Sequence, residues 1–342
     1  MKTADFDYKL PEKLIAQSPS EPRDHSRLMI LDRINGRIKH RNFYDITEYL
    51  DHGDVLVFND SKVIPARMYG STVDSGSRVE LLLLSQISSN VWKTLVKPGR
   101  RMRKGAKFII NGINGKQLIG RILKEHLDGS REVEFEGELN FEYFGSLPLP
   151  PYIHETAVPG DRYQTVYAEK EGSIAAPTAG LHFTKKLLNR ISEKGVLLEF
   201  VTLHVGWDSF RPLKTNNPLE HKMHSEYWEL TREACDRINL AKSEGRRVIS
   251  VGTTAVRLLE NAARMSLSST LSPGSGWADI FIKPGYQFRV VDSLITNFHL
   301  PKSTLLMLTS ALAGRDNILK AYEEAVQNQY RFYSFGDAMF IV

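Results

Sequence analysis

Strand-like and helix-like hydrophobic patterns alternate along the second half of the chain. The runs "VLLEFVTLHVG" (196–206) and "RRVISVG" (246–252) are short and rich in consecutive apolar residues, which is typical of buried strands. The runs "TREACDRINLAKSEG" (231–245) and "TTAVRLLENAARM" (253–265) repeat their apolar positions at helical spacing. A further helix is expected in "TKKLLNRISEKG", with Thr184 as its N-cap. This alternation predicts a layered α/β domain with a largely parallel sheet.

The region from about residue 61 to residue 137 has a different pattern. Six short β-type runs, from "KVIPARMYG" to "REVEFEG", are separated by turn signals such as Pro98-Gly99 and Asn111-Gly112. Short strands at this spacing, without helices between them, predict a small barrel. The sequence therefore predicts an α/β fold in which a small antiparallel β-barrel domain (61–145) is inserted into a layered α/β main domain (1–60 plus 146–342). The segment "SLSSTLSPGSG" (266–276) is expected to be an exposed loop.

Composition narrows the setting in which the protein works. A single cysteine, Cys235, excludes an intramolecular disulfide and favours a reducing compartment. Cys235 shares its predicted helix with apolar residues at core spacing, so we interpret it as a core residue. The start of the sequence has no apolar signal core, and its longest apolar stretch is too short to span a bilayer. We therefore expect a cytoplasmic protein with no membrane partner, and a monomer.

A basic segment lies within the predicted barrel. The run "KPGRRMRKGAK" (97–107) holds six basic residues and no acidic one. It has two interpretations, a solvated hairpin connection or a surface that contacts phosphates. The six residues that would form this phosphate-contacting surface are Lys97, Arg100, Arg101, Arg103, Lys104 and Lys107.

Candidate chemistry lies where predicted strands give way to loops and helices. The run "AAPTAGLHF" (175–183) brings His182 to the entrance of a helix, "LHVG" ends a strand with His204, and "TNFHLP" places His299 before another helix. Ligands of α/β sheets bind beyond the carboxyl ends of strands, so the three histidines are expected to share one pocket. The alternative for each is a buried, hydrogen-bonded histidine with a structural role.

The segment "HKMHSE" adds His221, His224 and Glu226. Two histidines three residues apart can share a helical face, which raises a zinc site, but no HExxH motif or cysteine cluster accompanies them. An acid–base role for His224 or Glu226 fits better. The chain lacks a Walker A motif, a GxSxG motif and a clean GxGxxG motif, which argues against generic nucleotide binding, serine hydrolysis and ordinary dehydrogenase chemistry.

Ten segments, in this order along nearly the whole chain, resemble the S-adenosylmethionine:tRNA ribosyltransferase-isomerases of queuosine biosynthesis. They are "DFDYKLPEKLIAQSP", "VFNDSKVIPAR", "LPLPPYI", "RYQTVYA", "AAPTAGLHF", "TLHVG", "HKMHSE", "VGTTAVR", "TNFHLPKSTLLML" and "FYSFGDAM". The fold that this resemblance implies, an α/β domain with an inserted β-barrel, agrees with the pattern above.

The resemblance implies an unusual use of S-adenosylmethionine, which donates its ribosyl part to 7-aminomethyl-7-deazaguanine in the wobble position of tRNA. The products would be epoxyqueuosine-tRNA, adenine and methionine. S-adenosylmethionine would be a consumed co-substrate, with no metal or other cofactor. The acid–base residues are expected among His182, His204, His224 and Glu226. The substrate-binding residues are expected to be Pro177, Thr178, Ala179, Gly180, Phe183, Gly252, Thr253, Thr254, Arg257, Asn297 and His299.

One segment departs from the family pattern. Where the family usually has His-Val-Gly-x-Gly-Thr-Phe, this chain reads "HVGWDSF", with Asp208 for the second glycine and Ser209 for threonine.

Two other functions compete with the enzyme: a metal-dependent hydrolase that uses the same histidines, and a non-catalytic protein that binds tRNA through its barrel. Stoichiometric zinc would favour the first, and tRNA affinity without adenine release would favour the second.

Overall fold

The computed structural model describes residues 1–154, 159–207, 213, 215–221, 223, 225–266 and 270–342. The chain forms two compact units, one of Met1–Lys62 with Pro151–Val342 and the other of Val63–Pro150. In chain order the strands are β1 (Arg27–Leu31), β2 (Ile38–Asn42), β3 (Val55–Asn59), β4 (Ser61–Val63), β5 (Arg67–Thr72), β6 (Arg78–Ser88), β7 (Val91–Lys97), β8 (Lys107–Asn111), β9 (Gln117–Glu125), β10 (Arg131–Glu136), β11 (Lys170–Ser173), β12 (Leu197–Leu203), β13 (Glu226–Leu230), β14 (Val248–Val251), β15 (Gly274–Ala278), β16 (Ser293–Asn297) and β17 (Ala338–Ile341). The helices are α1 (Phe141–Phe144), α2 (Lys185–Glu193), α3 (Arg232–Ser243), α4 (Thr253–Met265), α5 (Thr304–Ala313) and α6 (Arg315–Gln327).

The first unit is built on a nine-stranded sheet in the order β15-β13-β12-β3-β14-β16-β17-β1-β2. The four pairs β12–β3, β3–β14, β14–β16 and β17–β1 are parallel, and the other four pairs are antiparallel. The prediction of a largely parallel sheet was therefore wrong, because only half of the strand pairs are parallel. Two strands account for much of the difference, because β13 returns beside β12 and β17 enters beside β16 in the opposite direction.

Strand β3 explains why the central sheet residues read as continuous apolar runs. Val55 and Val57 pack into the core on one face of the sheet, whereas Leu56 and Phe58 pack into a separate core on the other face. All four side chains are fully buried. A strand that is covered on both faces has no polar alternation, and the predicted α/β layering is confirmed.

Helix boundaries follow the expected capping chemistry. The Thr184 hydroxyl accepts a hydrogen bond from the Leu187 amide (3.1 Å), which confirms Thr184 as the N-cap of α2.

Cys235 of α3 is buried in the larger core beside Ala234 and Ile238, as its spacing predicted. No helix in the described part of the chain is long and apolar enough to cross a membrane.

The second unit is a closed barrel of six strands in the order β10-β7-β6-β5-β8-β9, which confirms the predicted barrel. Its interior includes Met68, Leu83, Phe108 and Phe135, all fully buried. The connection between β7 and β8 does not join neighbouring strands, so the interpretation of residues 97–107 as a hairpin connection was wrong.

The prediction of a loop over 266–276 was also wrong at its end. Residues from Gly274 onward form the edge strand β15, which pairs with β13. A glycine-rich edge strand has a weak strand signal in sequence, because its pairing partner supplies the structure. Residues 267–269 lie outside the described part.

Candidate active site

A cleft of about 810 Å³, part of it open to solvent, lies in the first unit where β14 and β16 end. Strand β14 leads through Gly252 into α4, and Gly252 lies beside β16 because its amide donates to the Ile295 carbonyl (2.8 Å). The cleft is lined by nine of the expected substrate-binding residues: Pro177, Thr178, Ala179, Gly252, Thr253, Thr254, Arg257, Asn297 and His299.

Gly252 makes the strand-to-helix transition that opens this cleft. Its φ of 90° lies in the region that favours glycine, and it is the N-cap of α4. Glycine has no side chain that could accept hydrogen bonds from the first backbone amides of α4, so Gly252 does not cap them. Backbone donors at the start of a helix suit an anionic or polar group of a ligand.

Gly180 and Phe183 were expected in the binding set but do not line this cleft. A Cβ on Gly180 would lie 1.9 Å from the Tyr167 hydroxyl, so the close backbone approach at Gly180 is to the protein's own tyrosine. Phe183 is fully buried, with ring centroids 4.9 Å from Phe43 and 5.0 Å from Phe58. Gly180 lies within the 3₁₀ turn Thr178–His182 and Phe183 is the C-cap of that turn, and both residues are buried.

His182 is buried behind the cleft. Its Nδ1 lies 2.7 Å from the Ser26 hydroxyl, and its Nε2 lies 3.1 Å from Nδ2 of Asn297, which lines the cleft. The ring stacks on Phe43 and borders a second pocket of about 250 Å³ that includes Arg23. Burial lowers the pKa of His182 to about 3, with smaller contributions from the nearby Arg331 and Arg23 charges, so the imidazole is neutral at pH 7.

His299 lines the cleft and is also buried. Its Nε2 lies 3.1 Å from the Thr296 hydroxyl, and its Nδ1 lies 3.4 Å from the Tyr322 hydroxyl. Burial lowers the pKa of His299 to about 3. A neutral imidazole with hydrogen-bond partners at both nitrogens is suited to holding the loop after β16 in place.

Glu226 and Arg257 form a buried ion pair at the side of the cleft. The guanidinium of Arg257, on α4, donates to the Glu226 carboxylate, and the second carboxylate oxygen accepts from the Gly206 amide (3.0 Å). Arg257 lines the cleft and Glu226 does not. The pair brings together a residue expected to bind substrate and one expected to transfer protons.

His204 follows β12 and lies in neither pocket described above. It stacks on Tyr227 with ring centroids 5.9 Å apart, and its Nδ1 is buried without a hydrogen-bond partner among the described residues. Burial lowers the pKa of His204 below its usual value. The structure thus links His182 and His299 to the cleft but does not line it with all three histidines, contrary to the expectation of one shared pocket.

Three predicted features lie at residues outside the described part: His224, Asp208 and Ser209. His221 is described and packs edge-on against Phe281. Within the described ranges, no three His, Cys, Asp or Glu side chains come together as a metal site requires.

Sequence reasoning missed several residues that line the cleft, notably Tyr152, Ser303, Tyr333 and Ser334. The Tyr152 hydroxyl lies 2.7 Å from the Ser334 hydroxyl, and the Tyr152 and Tyr333 ring centroids are 4.8 Å apart. These residues lie in "LPLPPYI", "PKSTLLML" and "FYSFG". The order of these segments along the chain contributed to the family resemblance, but their hydrophobic periodicity did not mark them as part of a site.

The six basic residues of the 97–107 run are all exposed in the second unit. None of their side chains forms an ion pair with another described residue. The segment is anchored by Met102, which is fully buried and whose carbonyl accepts from Nε of Arg131 (2.9 Å). The charged side chains therefore project from a fixed backbone.

An α/β unit with a cleft at the carboxyl ends of β14 and β16 has the usual geometry of a ligand-binding α/β domain, and the second unit is a small barrel. A family model described as "Queuosine biosynthesis protein" matches residues 3–341. The chain belongs to this family, and it is an enzyme of the transferase and isomerase class.

Curated relatives are similar over the full length. The chain is 54% identical to the S-adenosylmethionine:tRNA ribosyltransferase-isomerase of Desulforamulus reducens and 53% identical to that of Clostridioides difficile, with 100% of each chain covered. A solved structure, the S-adenosylmethionine tRNA ribosyltransferase of Thermotoga maritima, is 39% identical with a TM-score of 0.56, and the match covers 99% of this chain and 100% of that one.

Proposed function

We propose that this enzyme transfers and isomerises the ribosyl part of S-adenosylmethionine onto 7-aminomethyl-7-deazaguanine in the wobble position of tRNA, with release of adenine and methionine. The observation that carries the proposal is the full-length similarity, at 54% identity, to an enzyme named S-adenosylmethionine:tRNA ribosyltransferase-isomerase, together with a cleft lined by segments that carry the resemblance. S-adenosylmethionine is a consumed co-substrate, and no metal or other cofactor takes part.

The reaction sets requirements that the cleft can be compared with. A base removes a proton from the carbon beside the sulfonium, whose charge stabilises the carbanion. The aminomethyl nitrogen attacks as a free amine, adenine departs with help from an acid, and methionine leaves as the epoxide closes. Exclusion of water protects the reactive intermediates. The apolar and small side chains of the cleft, among them Val205, Phe298 and Leu305, fit that last requirement.

The acid–base groups that we propose are His204, His224 and Glu226. His204 supports this role with a pKa that burial lowers and with a buried Nδ1 that has no partner among the described residues. Glu226 supports it through its ion pair with Arg257, a residue of the cleft. General acid–base groups contribute about 10²- to 10⁴-fold in rate, so His204→Ala and His224→Ala should lower turnover by factors in that range while the protein stays folded.

The experiment that tests the function is incubation of the protein with S-adenosylmethionine and tRNA that carries the aminomethyl base, followed by mass analysis of the tRNA and of the small products. We expect a tRNA heavier by the transferred ribosyl part, with adenine and methionine released together. The matched control is the same tRNA without the modified base, which should release no adenine. Binding of tRNA without adenine release would instead support the non-catalytic alternative.

A further inference from the structure

The side-chain amide of Asn297 has a fixed orientation at the base of the cleft. Asn297 is 3% exposed, and its Nδ2 lies 3.1 Å from both the Tyr333 carbonyl oxygen and Nε2 of His182. A carbonyl oxygen only accepts hydrogen bonds, so the NH₂ group, and not the amide oxygen, must face Tyr333. The same NH₂ group then donates to His182.

This orientation determines the tautomer of His182. Because Nε2 accepts from Asn297, the ring proton is on Nδ1, where it is donated to the Ser26 hydroxyl at 2.7 Å. Both nitrogens are engaged by protein groups, and the ring does not line the cleft. His182 therefore has neither a spare proton nor a free lone pair to offer a substrate.

The amide oxygen of Asn297 is left as the group available to a ligand. Oδ1 is buried and has no hydrogen-bond partner among the described residues, and Asn297 lines the cleft. An unpaired buried acceptor destabilises the protein, and a ligand that brings a donor to it removes this cost.

We infer that Oδ1 of Asn297 accepts a hydrogen bond from an N–H or O–H donor of S-adenosylmethionine, and that His182 is a positioning residue that holds the amide for this contact. The inference rests on the proposed function for the identity of the ligand. It replaces the expected acid–base role of His182 with a role in binding.

The first test combines changes in the ligand with changes in the protein. S-adenosylmethionine offers four kinds of donor: the adenine amino group, the 2′-hydroxyl, the 3′-hydroxyl and the α-ammonium. Equilibrium dissociation constants are measured for S-adenosylmethionine and for four analogues, each lacking one donor. For the wild-type protein we expect one analogue to bind about 10- to 100-fold more weakly.

In Asn297→Ala that penalty should shrink to less than about threefold, because the acceptor is gone. If the alanine variant folds poorly, Asn297→Ser is the second variant, because the serine hydroxyl can still donate a hydrogen bond to the Tyr333 carbonyl. Asn261→Ala is the matched control, because Asn261 is equally buried but does not line the cleft; it should keep the full penalty. The inference is overturned if no analogue shows a penalty, or if the penalty is the same with and without Asn297.

The second test separates positioning from proton transfer at His182. Glutamine can place an amide oxygen near the position of Nε2, so His182→Gln keeps an acceptor for Asn297, whereas His182→Ala does not. We expect His182→Gln to keep its S-adenosylmethionine affinity and its turnover within about threefold, with an unchanged pH profile, and His182→Ala to lose affinity. A fall in turnover of about 10²-fold or more in His182→Gln, with affinity unchanged, would show proton transfer instead.

The wild-type measurements distinguish a failure of this inference from a failure of the proposed function. If the wild-type protein neither binds S-adenosylmethionine nor releases adenine from it, the proposed function is wrong. If it does both, and the Asn297 variants show unchanged penalties, only the inference is wrong.

Discussion

Removing three charges from the barrel should weaken tRNA binding in a salt-dependent way. The variant replaces Arg100, Arg101 and Arg103 with alanine. All three side chains are exposed, and none forms an ion pair within the described part of the chain, so their charges are available to phosphates. The backbone between them is held by buried Met102, which is unchanged, so we expect the fold of the barrel to survive.

The size of the effect follows from the number of contacts. Each phosphate contact that is lost lowers the slope of log affinity against log salt by about 0.7–0.9, so three contacts give about 2.1–2.7. Between 50 and 200 mM salt this slope difference corresponds to about 20- to 40-fold. The variant should therefore differ most from the wild type at low salt. Its affinity for S-adenosylmethionine should be unchanged, because the cleft is in the other unit.

Filter binding across a salt series measures both quantities. The matched control replaces Lys93, Arg121 and Lys124 with alanine, which removes the same net charge from the same barrel. These three cations already have acidic partners, Asp128, Glu134 and Glu132, at 3.0, 2.8 and 3.6 Å. The control should change the slope by less. An unchanged slope and affinity in the Arg100, Arg101 and Arg103 variant would refute a role for this segment in RNA binding.

Three further outcomes are expected. Thr184→Ala should lower the free energy of unfolding by about 1 kcal/mol, because α2 loses its N-cap, whereas Thr184→Ser should not; urea unfolding followed by circular dichroism measures this. The free energy of unfolding should fall as the pH drops from about 6.5 towards 3, because in this range the two histidines take up protons in the unfolded chain but not in the folded protein, where the pKa values of His182 and His299 are about 3. Each histidine contributes about 1.4 kcal/mol per pH unit to this slope. His182→Gln or His299→Gln should remove the contribution of the histidine that it replaces. Turnover should persist after treatment with a chelator, and complete loss that one divalent ion restores would contradict the proposed chemistry.

Much of the fold was predictable because it depends on local pattern. The apolar run around Val57 and the capped start of α2 each carry their structure in a few consecutive residues. The mixed direction of the sheet was not predictable in this way, since β17 reaches its neighbours β1 and β16 from the far end of the chain. The edge strand β15 begins with Gly, Ser and Gly, so it gives little strand pattern of its own.

The loops that form the cleft were predictable from the sequence, but the long-range side-chain contacts behind and around it were not. Strand ends at Gly252 and Asn297 marked the cleft, because the carboxyl ends of adjacent parallel strands lie side by side. The hydrogen-bond partners of His182, Ser26 and Asn297, are 156 and 115 residues away in sequence, and no local pattern predicts such contacts. The same distance in sequence hid the contribution of Tyr152 and Tyr333.

The central claim is that the ribosyl part of S-adenosylmethionine, and not its methyl group, is transferred to tRNA. The most direct measurement uses two preparations of S-adenosylmethionine, one labelled with ¹³C in the ribosyl carbons and one labelled in the methyl carbon, each incubated with the protein and tRNA that carries the aminomethyl base. Mass analysis of the digested tRNA should find the ribosyl label in the wobble nucleoside and the methyl label only in released methionine. Methyl label in the tRNA, or no ribosyl label there while adenine is released, would contradict the account.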